Sequence, residues 1–212
     1  MGDNRVLAVI FDLGKVIVQF DHHRISAGLA RYSPYSEPEI FHRLFSSGIV
    51  QEFDRGGVSP EAFYNALHRE LRLTANIAQV MHIWNTIFSP TPGIVPLIEE
   101  LAQTHVLVCL SNTNVWHFTY CREHFPVLRN FHAFVLSYEQ GICKPDLRIY
   151  NRAVAAASTQ PHQCIYIDDI PEFVAAGEQI GLHGIRFVST SQLVRALQER
   201  GVIAPRAAAL SS

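Results

Sequence analysis

Several side chains capable of chemistry follow short apolar runs of the sequence. Asp12 ends one run, Ser111 ends a second, the pair Asp168 and Asp169 ends a third, and Lys144 lies in the loop after another. Phosphoryl transfer needs such a set: a carboxylate attacks phosphorus to form an acyl phosphate, while a hydroxyl and an ammonium hold the phosphate oxygens. Magnesium, a hard cation that prefers oxygen ligands, offsets the repulsion between carboxylate and phosphate.

The apolar runs have the composition of buried parallel strands, because they are rich in Val, Ile, Phe and Tyr and lack polar alternation. We predict strands at Val6–Phe11, Val106–Leu110, Phe134–Leu136, Cys164–Ile167 and Ile185–Val188. Helix-length segments lie between and after them, at Gly93–Gln103, Val115–Phe125, Asp146–Ala157, Pro171–Ile180 and Ser191–Arg200. The alternation predicts an α/β, doubly wound parallel sheet, whose ligands bind beyond the carboxyl ends of the strands.

The stretch from about Asp21 to Ser89 differs, because it contains no strand-like run. It reads as four helices, at His22–Tyr32, Pro38–Ser47, Pro60–Leu71 and Ile77–Phe88. We therefore predict an all-helical insertion after the first strand, with residues 20–90 as a cap and residues 1–19 and 91–212 as the core. The segment Ser89–Gly93, with two prolines, is predicted to be a stiff return linker.

Composition excludes several classes of protein. The chain is 48% hydrophobic and 17% charged, which predicts a compact fold rather than disorder. The net charge of −2 and the lack of a basic stretch argue against partners such as nucleic acid or a membrane surface. Acidic Asp3 and Asp12 argue against a secretory signal, and the four scattered cysteines suit a reduced, cytoplasmic protein.

Four segments, IFDLGKVIV, VCLSNTN, GICKPDLRIY and IYIDDIPE, resemble in order the motifs of the haloacid dehalogenase-like (HAD) hydrolase superfamily, subfamily IA. The helical insertion resembles the C1 cap of that group. The segments DLG, QEFDRGGVSPEAF and LSNTN are similar to those of bacterial α-D-glucose-1-phosphate phosphatases. The resemblance implies a Rossmann-like core and a magnesium-dependent phosphatase. Its expected substrate is a small phosphate ester, such as a sugar phosphate, hydrolysed through an aspartyl phosphate.

The resemblance also implies roles for single residues. Asp12 corresponds to the nucleophile. The implied ligands of Mg²⁺ are Asp12, the backbone carbonyl of Gly14 and Asp169, with Asp168 beside it. The groups implied to hold the transferring phosphoryl group are the Ser111 hydroxyl, the backbone at Asn112 and the Lys144 ammonium, which also pairs with Asp12.

One position departs from the family pattern. Most phosphatases of this superfamily carry a second aspartate two residues after the nucleophile, as general acid and base, and here that residue is Gly14. The sugar-phosphate phosphatases that this chain resembles also have glycine there, which suits a leaving group that needs little protonation. Lys15 is expected to point away from the nucleophile, since successive residues of an extended chain face opposite sides. A histidine is a third alternative, at His22, His23 or His117.

Two other functions remain open. A 2-haloacid dehalogenase would use the same Asp12 nucleophile on carbon without magnesium, and a non-catalytic phosphate-binding or regulatory protein would bind phosphate without turnover. A zinc site at His117, Cys121 and His124 is disfavoured, because one helix closes a tetrahedral site poorly. The chain is expected to be a monomer or homodimer, and the sequence does not name the substrate.

Overall fold

A five-stranded parallel sheet forms the centre of the computed structural model, which describes residues 5–205. In chain order the strands are β1 (Ala8–Phe11), β2 (Val18–Phe20), β3 (Phe88–Pro90), β4 (Val106–Ser111), β5 (Ala133–Leu136), β6 (Cys164–Asp168) and β7 (His183–Arg186). The sheet has the order β5-β4-β1-β6-β7, and every pair in it is parallel. The predicted α/β fold class is confirmed.

Helices surround this sheet and build the insertion. They are α1 (His23–Ala30), α2 (Glu37–Ser46), α3 (Ile49–Asp54), α4 (Pro60–Glu70), α5 (Ile77–Asn85), α6 (Ile94–Ala102), α7 (Val115–His124), α8 (Ser137–Gln140), α9 (Leu147–Ala156), α10 (Pro171–Gln179) and α11 (Thr190–Glu199). Short 3₁₀ turns lie at Pro126–Asn130 and Pro161–Gln163.

The central strand β1 is buried on both faces, as its unbroken apolar composition predicts. Its side chains alternate between two cores. Val9 and Phe11 pack in a cluster with residues of α6, α7 and α11, whereas Ala8 and Ile10 pack with α9 and α10. A third cluster joins α1 to α5 of the insertion around buried Phe53, Phe63 and Trp84 and also reaches Trp116 of α7.

Several details of the predicted elements were wrong. The insertion has a fifth helix, α3, in the stretch between the predicted helices Pro38–Ser47 and Pro60–Leu71, where no helix was predicted. The predicted linker is partly strand, because β3 pairs antiparallel with β2 at the base of the insertion. Strand β7 begins two residues before the predicted Ile185. Elements of three to six residues are too short to show a clear periodicity, which explains these errors.

The division into a core and a cap at residues 19/20 and 90/91 stays a prediction, and the β2–β3 pair joins residues on both sides of it. Asp3 and the residues after Pro205 lie outside the described part of the chain. Within residues 5–205, every helix is too short or too polar to cross a membrane.

Candidate active site

Asp12 follows β1 directly, at the carboxyl edge of the sheet. Its backbone N–H donates to the carbonyl of Ile167 at 2.9 Å, which continues the ladder between β1 and β6 by one residue. Asp168 ends β6 on one side of Asp12, and Ser111 ends β4 on the other. The parallel register therefore gathers at one edge three side chains that are far apart in the sequence.

Lys144 lies between two carboxylates. Its ammonium Nζ is 2.8 Å from Asp12 Oδ1 and 2.6 Å from Asp168 Oδ2, and its side chain is 1% exposed. Two hydrogen bonds with the Asn112 side chain fix its backbone: Asn112 Nδ2 donates to the Lys144 carbonyl at 3.0 Å, and the Lys144 N–H donates to Asn112 Oδ1 at 2.8 Å. The loop that carries Lys144 is thus held by the residue that follows β4.

The three aspartates form one acidic cluster. Oxygen atoms of Asp12, Asp168 and Asp169 lie within 4.8 Å of one another, and these residues are the one potential metal-binding group of this size within residues 5–205. Asp168 is fully buried and accepts hydrogen bonds from the Tyr166 hydroxyl and the Ile170 N–H as well as from Lys144. Asp169 is only half-buried.

The charges of the cluster do not balance, because three carboxylates face one ammonium. Burial raises the pKa of Asp12 to about 7, reinforced by Asp168 and opposed by Lys144. Burial also raises the pKa of Asp169. Burial favours the neutral form of Lys144, but Asp12 and Asp168 outweigh it and hold its pKa above the ordinary value. An all-oxygen set with excess negative charge suits a hard divalent cation such as Mg²⁺.

A cavity of about 260 Å³ adjoins this cluster through Leu13 and Gly14, which follow Asp12 in the chain. Its polar lining includes Ser111, Asn112, Asp54 and two histidines. Its apolar lining comes from the insertion and the segments beside it: Phe20, Ile25, Phe45, Val50, Trp84 and Phe88. The cavity therefore combines polar groups from the edge of the sheet, including the Ser111 hydroxyl, with a largely aromatic lining from the insertion and the segments beside it.

The space next to Gly14 is filled by an aromatic ring. A Cβ atom at position 14 would lie 2.7 Å from Cε1 of Phe20, which is closer than real Cβ contacts. The Phe20 ring is packed against the Lys15 ammonium, 4.5 Å from its centroid, and against the rings of His22 and Phe88. Position 14 has no room for the second aspartate of the family unless this ring moves.

Lys15 does not lie in an extended segment of the chain, contrary to the prediction from the sequence. Its φ is 60°, and its ammonium donates to the carbonyl of Phe20. His23 is exposed, stacks on Phe41 and lies 3.6 Å from Glu37, so it belongs to the surface of the insertion. Neither side chain is among the lining of the cavity.

His22 and His117 do line the cavity. Both ring nitrogens of His117 are engaged, since Nε2 lies 3.1 Å from the Trp84 carbonyl and Nδ1 lies 3.3 Å from Asn114 Nδ2. Burial lowers the pKa of His117 to about 3, so its ring is neutral at physiological pH and makes a poor proton donor. His124 is exposed and bonds the Tyr120 carbonyl, so the disfavoured zinc set is not assembled within the described residues.

The insertion is fastened to the sheet at the end of α3. The hydroxyl of Ser137 is hydrogen-bonded to the carbonyl of Asp54 and accepts from the Thr113 N–H at 2.9 Å. Gly56, with φ of 75°, packs so closely that an added Cβ would lie 2.1 Å from the Tyr138 carbonyl oxygen. Sequence reasoning missed this fastening, although the Gly56-Gly57 pair marks a tight backbone approach.

Gly56→Ala is expected to loosen this fastening. The left-handed backbone alone costs about 1–2 kcal/mol for alanine, and the clash with Tyr138 adds about 1–3 kcal/mol. Gly48→Ala is the matched control, because Gly48 has the same φ of 75° with nothing within 4 Å of its added Cβ. Urea unfolding of both variants measures the difference. Equal losses of stability would show that the close contact contributes nothing.

Comparison with known proteins identifies the family. A sequence profile of haloacid dehalogenase-like hydrolases matches residues 6–181, a range that includes the whole acidic cluster, Ser111 and Lys144. The chain belongs to this family. The expected membership is therefore confirmed for the superfamily, whereas the particular likeness to glucose-1-phosphate phosphatases stays a prediction.

Two curated relatives of this HAD-like hydrolase are phosphatases. The sesquiterpene phosphatase astK of Aspergillus oryzae is 24% identical over 202 residues, which cover 92% of this chain and 96% of that protein. The D-ribitol-5-phosphate phosphatase of Bacteroides thetaiotaomicron is 22% identical over 180 residues, which cover 82% of this chain and 87% of that protein. Their named substrates differ greatly, so they do not indicate one substrate.

Solved structures share the fold of this hydrolase. A HAD family enzyme of Bacteroides thetaiotaomicron superposes with a TM-score of 0.80 at 23% identity, covering 90% of this chain and 99% of that one. The complex of that enzyme with magnesium and inorganic phosphate gives 0.78 at 21% identity, covering 87% and 96%. An L-2-haloacid dehalogenase of Xanthobacter autotrophicus gives 0.63 at 17% identity, covering 94% and 85%.

Proposed function

We propose that this hydrolase is a magnesium-dependent phosphatase that acts on a small phosphorylated metabolite through an aspartyl phosphate on Asp12. The observation that carries the proposal is the arrangement of Lys144 between Asp12 and Asp168, with Asp169 beside them and Ser111 on the adjoining cavity. The phosphatase relatives support it.

The donor set fits magnesium. Asp12, Asp169 and the carbonyl of Gly14 are the proposed ligands, with Asp168 beside them. When bound, Mg²⁺ supplies the positive charge that lets an anionic carboxylate approach an anionic phosphate. Asp168 is tied by Lys144, Tyr166 and Ile170, which suits a residue that holds the others in place.

The protein groups have distinct parts in the proposed reaction. The Asp12 carboxylate attacks phosphorus, and Lys144 holds that carboxylate in position through the 2.8 Å contact to Oδ1. The Ser111 hydroxyl and the backbone N–H at Asn112 donate to phosphoryl oxygens, as does the Lys144 ammonium. Water then hydrolyses the aspartyl phosphate, and the insertion keeps bulk solvent out of the small cavity.

The test is a screen for phosphate release over metabolite phosphates, with Mg²⁺ and with EDTA. We expect release with Mg²⁺, a loss of at least about 10²-fold with EDTA because the metal contributes several kcal/mol to such transition states, and recovery when Mg²⁺ is restored. Phosphate release at the same rate with and without EDTA would contradict the proposed role of Mg²⁺. Halide release from 2-haloacids without Mg²⁺ would favour the dehalogenase alternative, and phosphate binding without any turnover would favour a regulatory protein.

The sequence predicts a sugar phosphate, and the cavity volume of about 260 Å³ suits an organic group of that size. A sugar 1-phosphate should be hydrolysed faster than its 6-phosphate, since an anomeric oxygen is the less basic leaving group. The aromatic lining of the cavity would also suit apolar esters, so the rates on sugar phosphates should be compared with those on small prenyl and aryl phosphates. Turnover of these apolar esters alone would contradict the sugar-phosphate proposal.

A cytoplasmic location and a monomeric or homodimeric state are proposed from the sequence alone.

A further inference from the structure

The proposed reaction lacks a proton donor at the usual place. Position 14 is glycine, and Phe20 fills the space that a side chain there would need. The leaving oxygen of an alkyl phosphate is strongly basic, and general acid catalysis of its departure is typically worth about 10²–10⁴-fold. A carboxyl group from another part of the chain would restore this contribution.

We propose that Asp54, at the end of helix α3 on the insertion, is the general acid and base of this hydrolase. The assignment rests on the proposed phosphatase function and concerns the same site. Asp54 borders the same cavity as Gly14 and Ser111, so an ester whose phosphate is held at Ser111 would have the Asp54 carboxyl beside it, on the insertion side of the cavity. No histidine is needed for the role.

Asn114 holds the Asp54 carboxylate in a defined orientation. The Asn114 side chain caps helix α7, where its Oδ1 accepts from the His117 N–H at 3.0 Å. That bond fixes the amide orientation and turns Nδ2 toward Asp54 Oδ1, to which it donates at 2.8 Å. Among the described residues, no hydrogen bond reaches Asp54 Oδ2, which leaves that oxygen to carry the proton.

The surroundings of Asp54 lack a direct cationic partner among the described residues. Its neighbour Arg55 pairs with Glu52 at 3.3 Å instead. Burial raises the pKa of Asp54 to about 6, against the hydrogen bond from Asn114 that lowers it. The titratable or charged side chains near it, on its own and on facing elements, are Glu52, Arg55, His22, His117 and Cys143. A carboxyl group in this range exchanges a proton readily near neutral pH.

The proton balance closes over two steps. In the first, Asp12 forms the new bond to phosphorus, the ester P–O bond breaks, and the leaving alkoxide takes the proton of the Asp54 carboxyl. In the second, the Asp54 carboxylate removes a proton from a water molecule while the oxygen of that water attacks the phosphorus of the aspartyl phosphate. The bond from phosphorus to Asp12 breaks, inorganic phosphate leaves, and Asp54 is again protonated.

Asp54→Asn tests this role while keeping an oxygen to accept from Asn114. Two esters are compared: an alkyl phosphate from the screen and p-nitrophenyl phosphate, whose leaving group needs no proton. We expect kcat/KM for the alkyl ester to fall by at least about 10²-fold in the variant. The rate of nitrophenolate release in the first turnover should stay within about 3-fold of wild type. The slowed second step should let the phosphorylated protein accumulate, as detected by mass spectrometry after acid quench.

Glu61→Gln is the matched control, because Glu61 is an exposed carboxylate in the first turn of helix α4 of the same insertion, and it should leave the rates on both esters unchanged. The ratio of the rate on the alkyl ester to the rate on p-nitrophenyl phosphate does not depend on how much of the protein sample is folded. A variant that is partly unfolded therefore still tests the proposal. An unchanged ratio in Asp54→Asn, with turnover that still requires Asp12, overturns the Asp54 role and leaves the phosphatase proposal standing. Wild-type protein that releases phosphate from no ester overturns both.

Discussion

Asp12→Asn should reduce phosphate release by about 10⁴-fold or more, because an amide cannot form the acyl phosphate on which the proposed reaction depends. The variant should still fold. The asparagine oxygen can accept from Lys144 in place of Oδ1, and the change removes one of three clustered carboxylates whose charges exceed the single ammonium. Its free energy of unfolding is expected within about 1 kcal/mol of wild type.

The measurement is steady-state phosphate release on the best ester of the screen, together with a melting curve. Asp146→Asn is the control: Asp146 caps helix α9 and pairs with Arg148, and asparagine caps helices equally well. That variant should keep full activity. Activity of Asp12→Asn equal to wild type would show that the nucleophile is assigned to the wrong residue.

Lys144→Met should lose both activity and stability. The ammonium is 1% exposed and neutralises Asp12 and Asp168, so its removal leaves two buried carboxylates without their partner. Breaking such a buried pair typically costs about 3–5 kcal/mol. Activity on every ester should fall as well, because the ammonium both positions Asp12 and contacts the phosphate in the proposed reaction.

The stability loss of Lys144→Met should depend on pH in a defined direction. The pKa of Asp12 is raised, and Lys144 is the group that opposes this rise. A carboxyl whose pKa is higher in the folded than in the unfolded state favours folding when protonated, so its contribution decreases as pH rises through the interval between the two values. Without Lys144, the folded-state pKa of Asp12 lies still further above its unfolded-state value. The free energy of unfolding of the variant should therefore fall more, relative to wild type, at about pH 8 than at about pH 5.

Urea unfolding at both pH values measures this effect, and adding Asp168→Asn to Lys144→Met should recover part of the loss. Arg148→Met is the matched control, because Arg148 is a solvent-exposed cation paired with Asp146 and should show no pH-dependent difference from wild type. A Lys144→Met variant as stable as wild type at both pH values would show that the buried carboxylates do not need this ammonium.

The relation of sequence to structure is clearest at the site. The ends of the apolar runs were sufficient to predict that Asp12, Ser111 and Asp168 meet, because parallel strands present their carboxyl ends at a common edge. Lys144 was predicted to pair with Asp12 on a family resemblance, and the contact of 2.8 Å agrees with it. Its second bond, to Asp168, was not predicted, since it depends on how the loop after β5 folds back over the sheet.

The sequence by itself determined the sheet, four of the helices between β2 and β3, and the acidic edge, because buried strands and helices carry local periodicity and strand ends follow from it. Only the tertiary structure decided what faces that edge. The Asn114–Asp54 hydrogen bond joins residues 60 apart, and the Phe20 ring beside Gly14 comes from a three-residue strand. Contacts between the insertion and the sheet join residues that are far apart in the chain. They depend on how the two surfaces pack, which the local sequence pattern of either surface does not specify.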